Sequence, residues 1–460
     1  MDPTSLSTSE LAARIRDRRL SVADVVAAHL DRIERINPAL NAIVVLDADR
    51  ARARARAADD ALAKGELWGP LHGVPFTLKD MHPTAGMQSS AGTRASAHVP
   101  AHNGVVAERL ITSGGILLGK TNMAIGVQTV SELFGRTVNP YDRGRTTGGS
   151  SGGAAAAVAA RLVPFDVGTD LSGSIRMPAH FCGVFGLKPT MHRIPTAGVL
   201  YGPPGIPRID RDLGVAGPLT RSADDLGLLF RVLAGADPRD PEVPPVPLAD
   251  VPRLQPRDLR LGFAPSIAGI PISRAVTGAL DTLAGRLSDA GARVVPTALP
   301  FAFEELLAAF RRYFAFALEI LVRAGIAPPA SIPGDRPPTT PYDLMCVLDE
   351  RDRFSAVLDR FLGDLDAFVC PPSIATAFPH CPPGSPIDVD GASVASIYID
   401  HPTLIATYTG APAVVVPVAL VDGLPVGAQL IARRWQDERL IGVAAAVADV
   451  VGPLPPPPLA

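Results

Sequence analysis

The chain has 460 residues, 47% of them apolar, and a net charge of −3. A large core is therefore available. No long like-charge block marks a nucleic-acid or anionic-membrane partner. The N-terminal MDPTSLSTSELAARIRDRR lacks a charged-then-apolar leader and no run of about 18 apolar residues occurs, so a soluble, cytoplasmic protein is expected.

Taken in order, residues 7–20 and 21–36 read as two helices. Each opens on a capping pattern, Ser7-Thr8-Ser9-Glu10 and Ser21-Val22-Ala23-Asp24, and Asn37-Pro38 is expected to stop the second. Ile43–Leu46 reads as a strand and 47–64 as an Ala/Arg-rich surface helix whose ARARARA run is a solvated face. A turn-rich lead from Gly69 to Pro75 enters a strand, Phe76–Leu78, ending at Lys79. His98 and His102 have the spacing of a helical metal pair, but Pro100 lies between them, so no metal site is expected. A helix over 104–114 and a strand Ile116–Leu118 lead to Gly119-Lys120-Thr121-Asn122-Met123.

Residues 145–190 concentrate Gly and Ser as no other stretch does. Gly148-Gly149-Ser150-Ser151-Gly152-Gly153 opens into an Ala-rich helix, a strand ending near Val167, and a second turn, Leu171-Ser172-Gly173-Ser174. Gly-rich turns bring backbone N–H groups close to a ligand and can hold negative charge. Residues 191–213 form a Gly/Pro loop, and Thr220–Ala234 a capped helix. The Pro- and Asp-rich 237–258 reads as a linker. Beyond it come a strand 259–263, a helix 274–290 and a strand 292–295. Two long amphipathic helices, 302–325 and 341–364, are expected to cover the site. Strands 367–370, 414–418 and 427–431, a helix 437–447 and a loose Pro-rich tail complete the chain. Strands alternating with helices imply a mixed, mainly parallel sheet covered on both faces.

Lysine usage carries its own signal. Of 43 basic residues only Lys64, Lys79, Lys120 and Lys188 are lysines. The surviving lysines are candidates for positions where arginine fails on chemistry: arginine keeps its proton in a protein, whereas a buried lysine can lose it. The cysteines Cys182, Cys346, Cys370 and Cys381 show no CxxC pairing, so neither a disulfide framework nor a zinc site is expected.

The two Gly/Ser turns resemble the amidase signature of the Ser-cisSer-Lys amide hydrolases. Ser150 and Ser174 match the two serines of that pattern, and Gly73-Val74-Pro75-Phe76-Thr77-Leu78-Lys79-Asp80 matches its lysine segment. The resemblance runs from about residue 8 to 448 and is weakest over 240–400. It implies one α/β domain spanning 1–460, where length alone suggests two or three. Within it lie N-terminal helices (7–64), a signature core (65–235), a helical cover (300–365) and the tail (453–460).

The resemblance also implies a triad, with Ser174 as nucleophile, Ser150 after a cis peptide as relay and Lys79 as base. It implies an oxyanion hole from the N–H groups of Leu171, Ser172, Gly173 and Ser174, with Ser151, Asp170 and Arg176 in support. For Lys79 to accept a proton near neutrality, burial must lower its pKa by about 3 units, within the range known for buried groups. Family members usually carry Gly or Ala where this chain has Ser172, so the extra hydroxyl sits in the oxyanion turn. Val127, Gln128, Tyr201 and Arg208 are the candidate substrate contacts.

The expected reaction is hydrolysis of a small or medium neutral amide, anilide or carbamate, without cofactor or metal, and a homodimer is left open. Two rivals remain. One is a glutamine-hydrolysing amidotransferase subunit; against it, the 300–400 region is short and lacks the expected glutamine-recognition segment. The other is an esterase in which Gly148-Gly149-Ser150-Ser151-Gly152 is a nucleophile elbow and His380 or His401 the base.

Overall fold

The computed structural model describes residues 2–124, 130–200, 208, 211–323 and 340–459. Eleven strands hydrogen-bond into one central sheet. In chain order they are β1 (Ile43–Leu46), β2 (Pro75–Lys79), β3 (Ile116–Thr121), β4 (Phe165–Asp170), β5 (Phe185–Lys188), β6 (Val215–Thr220), β7 (Arg260–Phe263), β8 (Arg293–Pro296), β9 (Ala367–Cys370), β10 (Ala413–Val421) and β11 (Leu424–Ile431). Their spatial order is β1-β3-β2-β4-β6-β5-β10-β11-β9-β7-β8. Pairing is parallel in two blocks, β3–β2–β4 and β9–β7–β8. It is antiparallel at the remaining junctions, including the β10–β11 hairpin.

The helices are α1 (Thr8–Arg16), α2 (Val22–Leu40), α3 (Ala48–Ala63), α4 (Val105–Thr112), α5 (Gly152–Ala159), α6 (Arg176–Cys182), α7 (Ala223–Leu233), α8 (Arg274–Asp289), α9 (Phe303–Arg323), α10 (Pro341–Phe361), α11 (Leu404–Tyr408) and α12 (Asp437–Val451). Every residue of β2, β3 and β4 is buried, which a sheet achieves only with cover on both faces. The molecule is a single large α/β domain around this mixed sheet. Among the described residues no helix is long and apolar enough to cross a membrane.

Local chemistry accounts for the elements that hold the site. Ser7 and Glu10 close a capping box at α1, and Ser21 caps α2. Asn37-Pro38 does not end α2, which runs on to Leu40. In a last turn proline removes one hydrogen bond, and here side chains hold the exit. Asn37 bonds the Ala42 and Ile43 backbone, while Asn41 closes the helix in the left-handed region at φ 54°. In α3 the alanines 51, 55 and 58 turn inward and Arg52 and Arg56 face solvent. Arg54 lies over Trp68 and donates to the Ile111 and Gly115 carbonyls.

Two strands, β5 and β6, lie where the sequence pattern assigns no strand. The two long helices expected over 302–325 and 341–364 are present as α9 and α10. Phe310, Tyr313 and Phe354 from this pair surround Tyr408 of α11. Arg351 and Ser355 donate to the carbonyls of Tyr408 and Thr409.

Candidate active site

Lys79 is the last residue of β2 and is fully buried. Parallel pairing with β4, Thr77 opposite Asp166 and Leu78 opposite Val167, carries it alongside Thr169. Its Nζ donates to Ser150 Oγ at 2.6 Å and to Thr169 Oγ1 at 2.7 Å. Ser150 stands just ahead of α5, and the Gly149–Ser150 peptide is cis. α5 enters the core because its first turn can pass very close to other backbone. A Cβ on Gly153 would lie 2.4 Å from the Asn122 carbonyl oxygen. Ser151 donates through its hydroxyl to the Thr169 carbonyl at 3.1 Å, and its N–H donates to the Ser174 carbonyl at 3.1 Å. The two serine turns and β4 are thereby tied together.

The second turn follows β4 directly. The four N–H groups expected to face an oxyanion divide. That of Gly173 is directed into the Asp170 carboxylate, donating to Oδ1 at 2.8 Å, and so departs from the expected set. Among the described residues no hydrogen bond engages the N–H of Leu171, Ser172 or Ser174. Gly173 holds φ 119°, and a Cβ there would sit 2.5 Å from Thr403 Oγ1, so glycine is required on both counts.

Asp170 and Arg176 are both buried and form a two-pronged pair, Nε to Oδ2 at 2.9 Å and Nη2 to Oδ1 at 2.8 Å. The rest of the guanidinium is satisfied by the Thr403 carbonyl, Gln429 Oε1 and Thr407 Oγ1. Burial alone would raise the Asp170 pKa, but the Arg176 charge and hydrogen bonds outweigh it and hold the carboxyl at about 2. The turn is thus anchored by a permanent carboxylate.

Burial acts on Lys79 in the opposite sense. It pushes the ammonium down to about 7, against the pull of Asp170 and Asp166, which favour the charged form. Asp166 is itself pushed up to about 7 by burial. Its Oδ2 accepts from Thr77 Oγ1 at 2.6 Å and Thr121 Oγ1 at 3.0 Å, while Oδ1 has no partner among the described residues. Sequence reasoning misses Thr169, Asp166, Thr77 and Thr121. Their positions carry no motif, and only the strand register brings them near Lys79.

Arg208 bonds Thr196 Oγ1 at 2.7 Å and lies near Asp240 and Glu242. Val127, Gln128 and Tyr201 lie outside the described residues. Neither histidine proposed as an esterase base contacts Ser150. His380 faces the Arg143 carbonyl and His401 packs against Phe303 and Tyr398. His180, the histidine nearest the Gly/Ser turns in sequence, is held between the Gly427 N–H and the Ala375 carbonyl. Among the described residues no cluster of His, Cys, Asp and Glu is arranged to hold a metal.

Comparison with known proteins agrees with the motifs. The family model described as Amidase matches residues 24–327 and 337–441. A glutamyl-tRNA(Gln) amidotransferase subunit of Methylococcus capsulatus is 32% identical over 95% of both chains. Its counterpart in Acidothermus cellulolyticus is 34% identical, covering 95% of this chain and 93% of its own. A bacterial aryl acylamidase of the amidase signature family superposes with a TM-score of 0.82 at 25% identity, covering 97% of this chain and 96% of the other. The chain belongs to the amidase signature family and is an amide-hydrolysing enzyme.

Proposed function

We propose that this protein hydrolyses the C–N bond of a small or medium neutral amide, anilide or carbamate through a covalent acyl-enzyme on Ser174. The observation that carries this reading is the buried Lys79 ammonium group, 2.6 Å from Ser150 Oγ and poised to be neutral near pH 7. An unactivated serine is a weak nucleophile and needs an adjacent base. Neutral Lys79 accepts the Ser150 proton as Ser150 takes that of Ser174, and Ser174 Oγ attacks the carbonyl carbon. The N–H groups of Leu171, Ser172 and Ser174 receive the developing oxyanion. Collapse returns the proton through Ser150 to the departing nitrogen and leaves the acyl group on Ser174. Water then repeats the route, releasing the acid and restoring Ser174.

The test is intact-protein mass after exposure to a fluorophosphonate, with peptide mapping. One adduct, at Ser174, is expected, and it should depend on Lys79. An adduct at Ser150 insensitive to Lys79→Ala would overturn the reading. A second reading, an amidotransferase component taking ammonia from glutamine, is favoured by the names of the sequence relatives. Ammonia release from glutamine, by the chain alone or with partner proteins, distinguishes it from hydrolysis of acyl anilides.

A further inference from the structure

The hydroxyl that sets Ser172 apart within the oxyanion turn has a specific partner. Ser172 Oγ donates to Asp400 Oδ2 at 3.2 Å. The carbonyl of the same Ser172 accepts from Thr403 Oγ1 at 2.6 Å. Ser172 is therefore held by side chain and backbone from one short segment, Asp400–Thr403, which lies 228 residues away along the chain at Asp400. That segment is itself fixed. Arg176 donates to the Thr403 carbonyl at 2.7 Å, and Thr403 Oγ1 also lies 2.6 Å from the Asp400 carbonyl. Asp400 is buried, with 8% of its surface exposed. A buried carboxyl held by the Ser172 hydroxyl is not needed for folding a Gly/Ser turn as such.

We propose that Asp400 is a positioning residue: acting through the Ser172 hydroxyl, it orients the Ser172 N–H that receives the oxyanion. The inference rests on the hydrolase reading above. The two bonds hold Ser172 on both sides of its Cα, through the side chain and through the peptide that joins it to Gly173, and so restrict the torsions that aim its N–H; an oxyanion donor works only if aimed where the charge develops. Burial pushes the Asp400 carboxyl up to about 7, opposed by the Ser172 hydrogen bond and by Arg176, and reinforced by Asp170. On its own segment His401 is held neutral, pushed down to about 4 by burial and by Arg311 of α9. At pH 6 asparagine is thus a close mimic of the protonated Asp400, keeping an acceptor for the Ser172 hydroxyl.

The experiment is the rate of Ser174 phosphonylation by a fluorophosphonate at pH 6, in the full chain. The variants are Ser172→Ala, Asp400→Ala, their double, Asp400→Asn and Asp400→Leu, each checked for folding by circular dichroism. Ser172→Ala and Asp400→Ala should each slow labelling about tenfold, less than the roughly hundredfold or more of losing a donor outright. The double variant should be no slower than either single, because one bond is removed by both. Asp400→Asn should retain the wild-type rate within about threefold, whereas Asp400→Leu, which fills the space without an acceptor for the Ser172 hydroxyl, should be as slow as Asp400→Ala. Additive losses, unaffected single variants, or Asp400→Asn as slow as Asp400→Ala would each overturn the proposal. Should Asp400→Ala not fold, Asp400→Leu takes its place in the cycle: in the Ser172→Ala background it must be silent, and a further slowing overturns the proposal. A wild type that does not label at Ser174 would instead overturn the hydrolase reading, and the positioning role with it.

Discussion

If Lys79 is the base, as proposed, the pH dependence of nucleophile activation follows from where it sits. An unburied lysine has a pKa of 10.5, and burial takes Lys79 to about 7. At pH 7 about half of the Lys79 side chains are then neutral, against roughly one in 3000 for an unshifted lysine. The difference corresponds to about 5 kcal/mol between the two protonation states. The sign follows from the direction of the shift. The base is neutral above the lowered pKa, so activity rises with pH and levels off above about 7. The assay is the rate of Ser174 phosphonylation from pH 5 to 9, read by intact mass. Below the midpoint the rate should fall about tenfold per pH unit, as for one essential proton. Lys79→Arg keeps its proton throughout and should label at least about a hundredfold more slowly at pH 8. A flat profile, a midpoint above about 9, or Lys79→Arg within tenfold of wild type would refute the assignment of Lys79 as base.

Other variants probe the neighbours of this lysine. Ser174→Ala should abolish turnover with an unchanged melting temperature; activity within about tenfold of wild type, or 1.4 kcal/mol of barrier, would remove Ser174 as nucleophile. Asp166→Asn takes away a charge that favours protonated Lys79, so the acid limb should move to lower pH, and an upward or absent shift in the same labelling assay contradicts that. Arg176→Leu leaves the buried Asp170 carboxylate unpaired and should cost about 3–5 kcal/mol in denaturant unfolding, with a loss under about 1 kcal/mol counting against the pairing. Gly173→Ala must both hold a positive φ and displace Thr403, so a fully active, fully stable variant would show that the turn is not held as described.

Much of this architecture is legible in the residues themselves. The strand at 43–46, the helix at 48–63, the two covering helices and the strand at 367–370 follow from hydrophobic period and caps. β5 and β6 escape because their sequences, FGLK and VAGPLT, are short, carry Gly or Pro and are flanked by loop-like residues. They become strands through tertiary pairing, β6 against both β4 and β5. The strand after α5 runs to Asp170, past Val167, since its polar end, Gly168-Thr169-Asp170, is buried against neighbours that satisfy it. The β10–β11 strands extend beyond the apolar runs to a turn at Asp422-Gly423, where both residues hold positive φ. At the candidate site, the proposed triad residues Ser150, Ser174 and Lys79 stand out through spacing and rarity. The groups that tune them, Asp166, Thr169, Asp400 and Thr403, come from other strands and turns and share no motif.

The rarity of lysine acquires its meaning from the hydrogen bonds. Lys79, Lys120 and Lys188 are all fully buried, and burial lowers each, to about 7, 8 and 7. A lowered pKa therefore does not single out a base. Partners do. Lys188 donates to two backbone carbonyls, those of Pro189 and Ala411, both at 2.9 Å. Lys120 has as its nearest partner the His82 carbonyl, with the hydroxyls of Thr84 and Ser89 at 3.3 and 3.5 Å. A carbonyl only accepts, so it stabilises the donor and offers no proton in return. Lys79 has two close hydroxyl partners, and its one carbonyl contact, to Thr169, is long at 3.5 Å. A hydroxyl can reverse its role and hand over a proton once the amine is neutral. Hence Lys188→Met and Lys120→Met should lower stability, by leaving buried carbonyls without a donor, while the midpoint of the acid limb stays near that of wild type. A shift of that midpoint by a full pH unit in Lys188→Met would mean that the buried lysines act as one coupled set and that bond direction does not separate them.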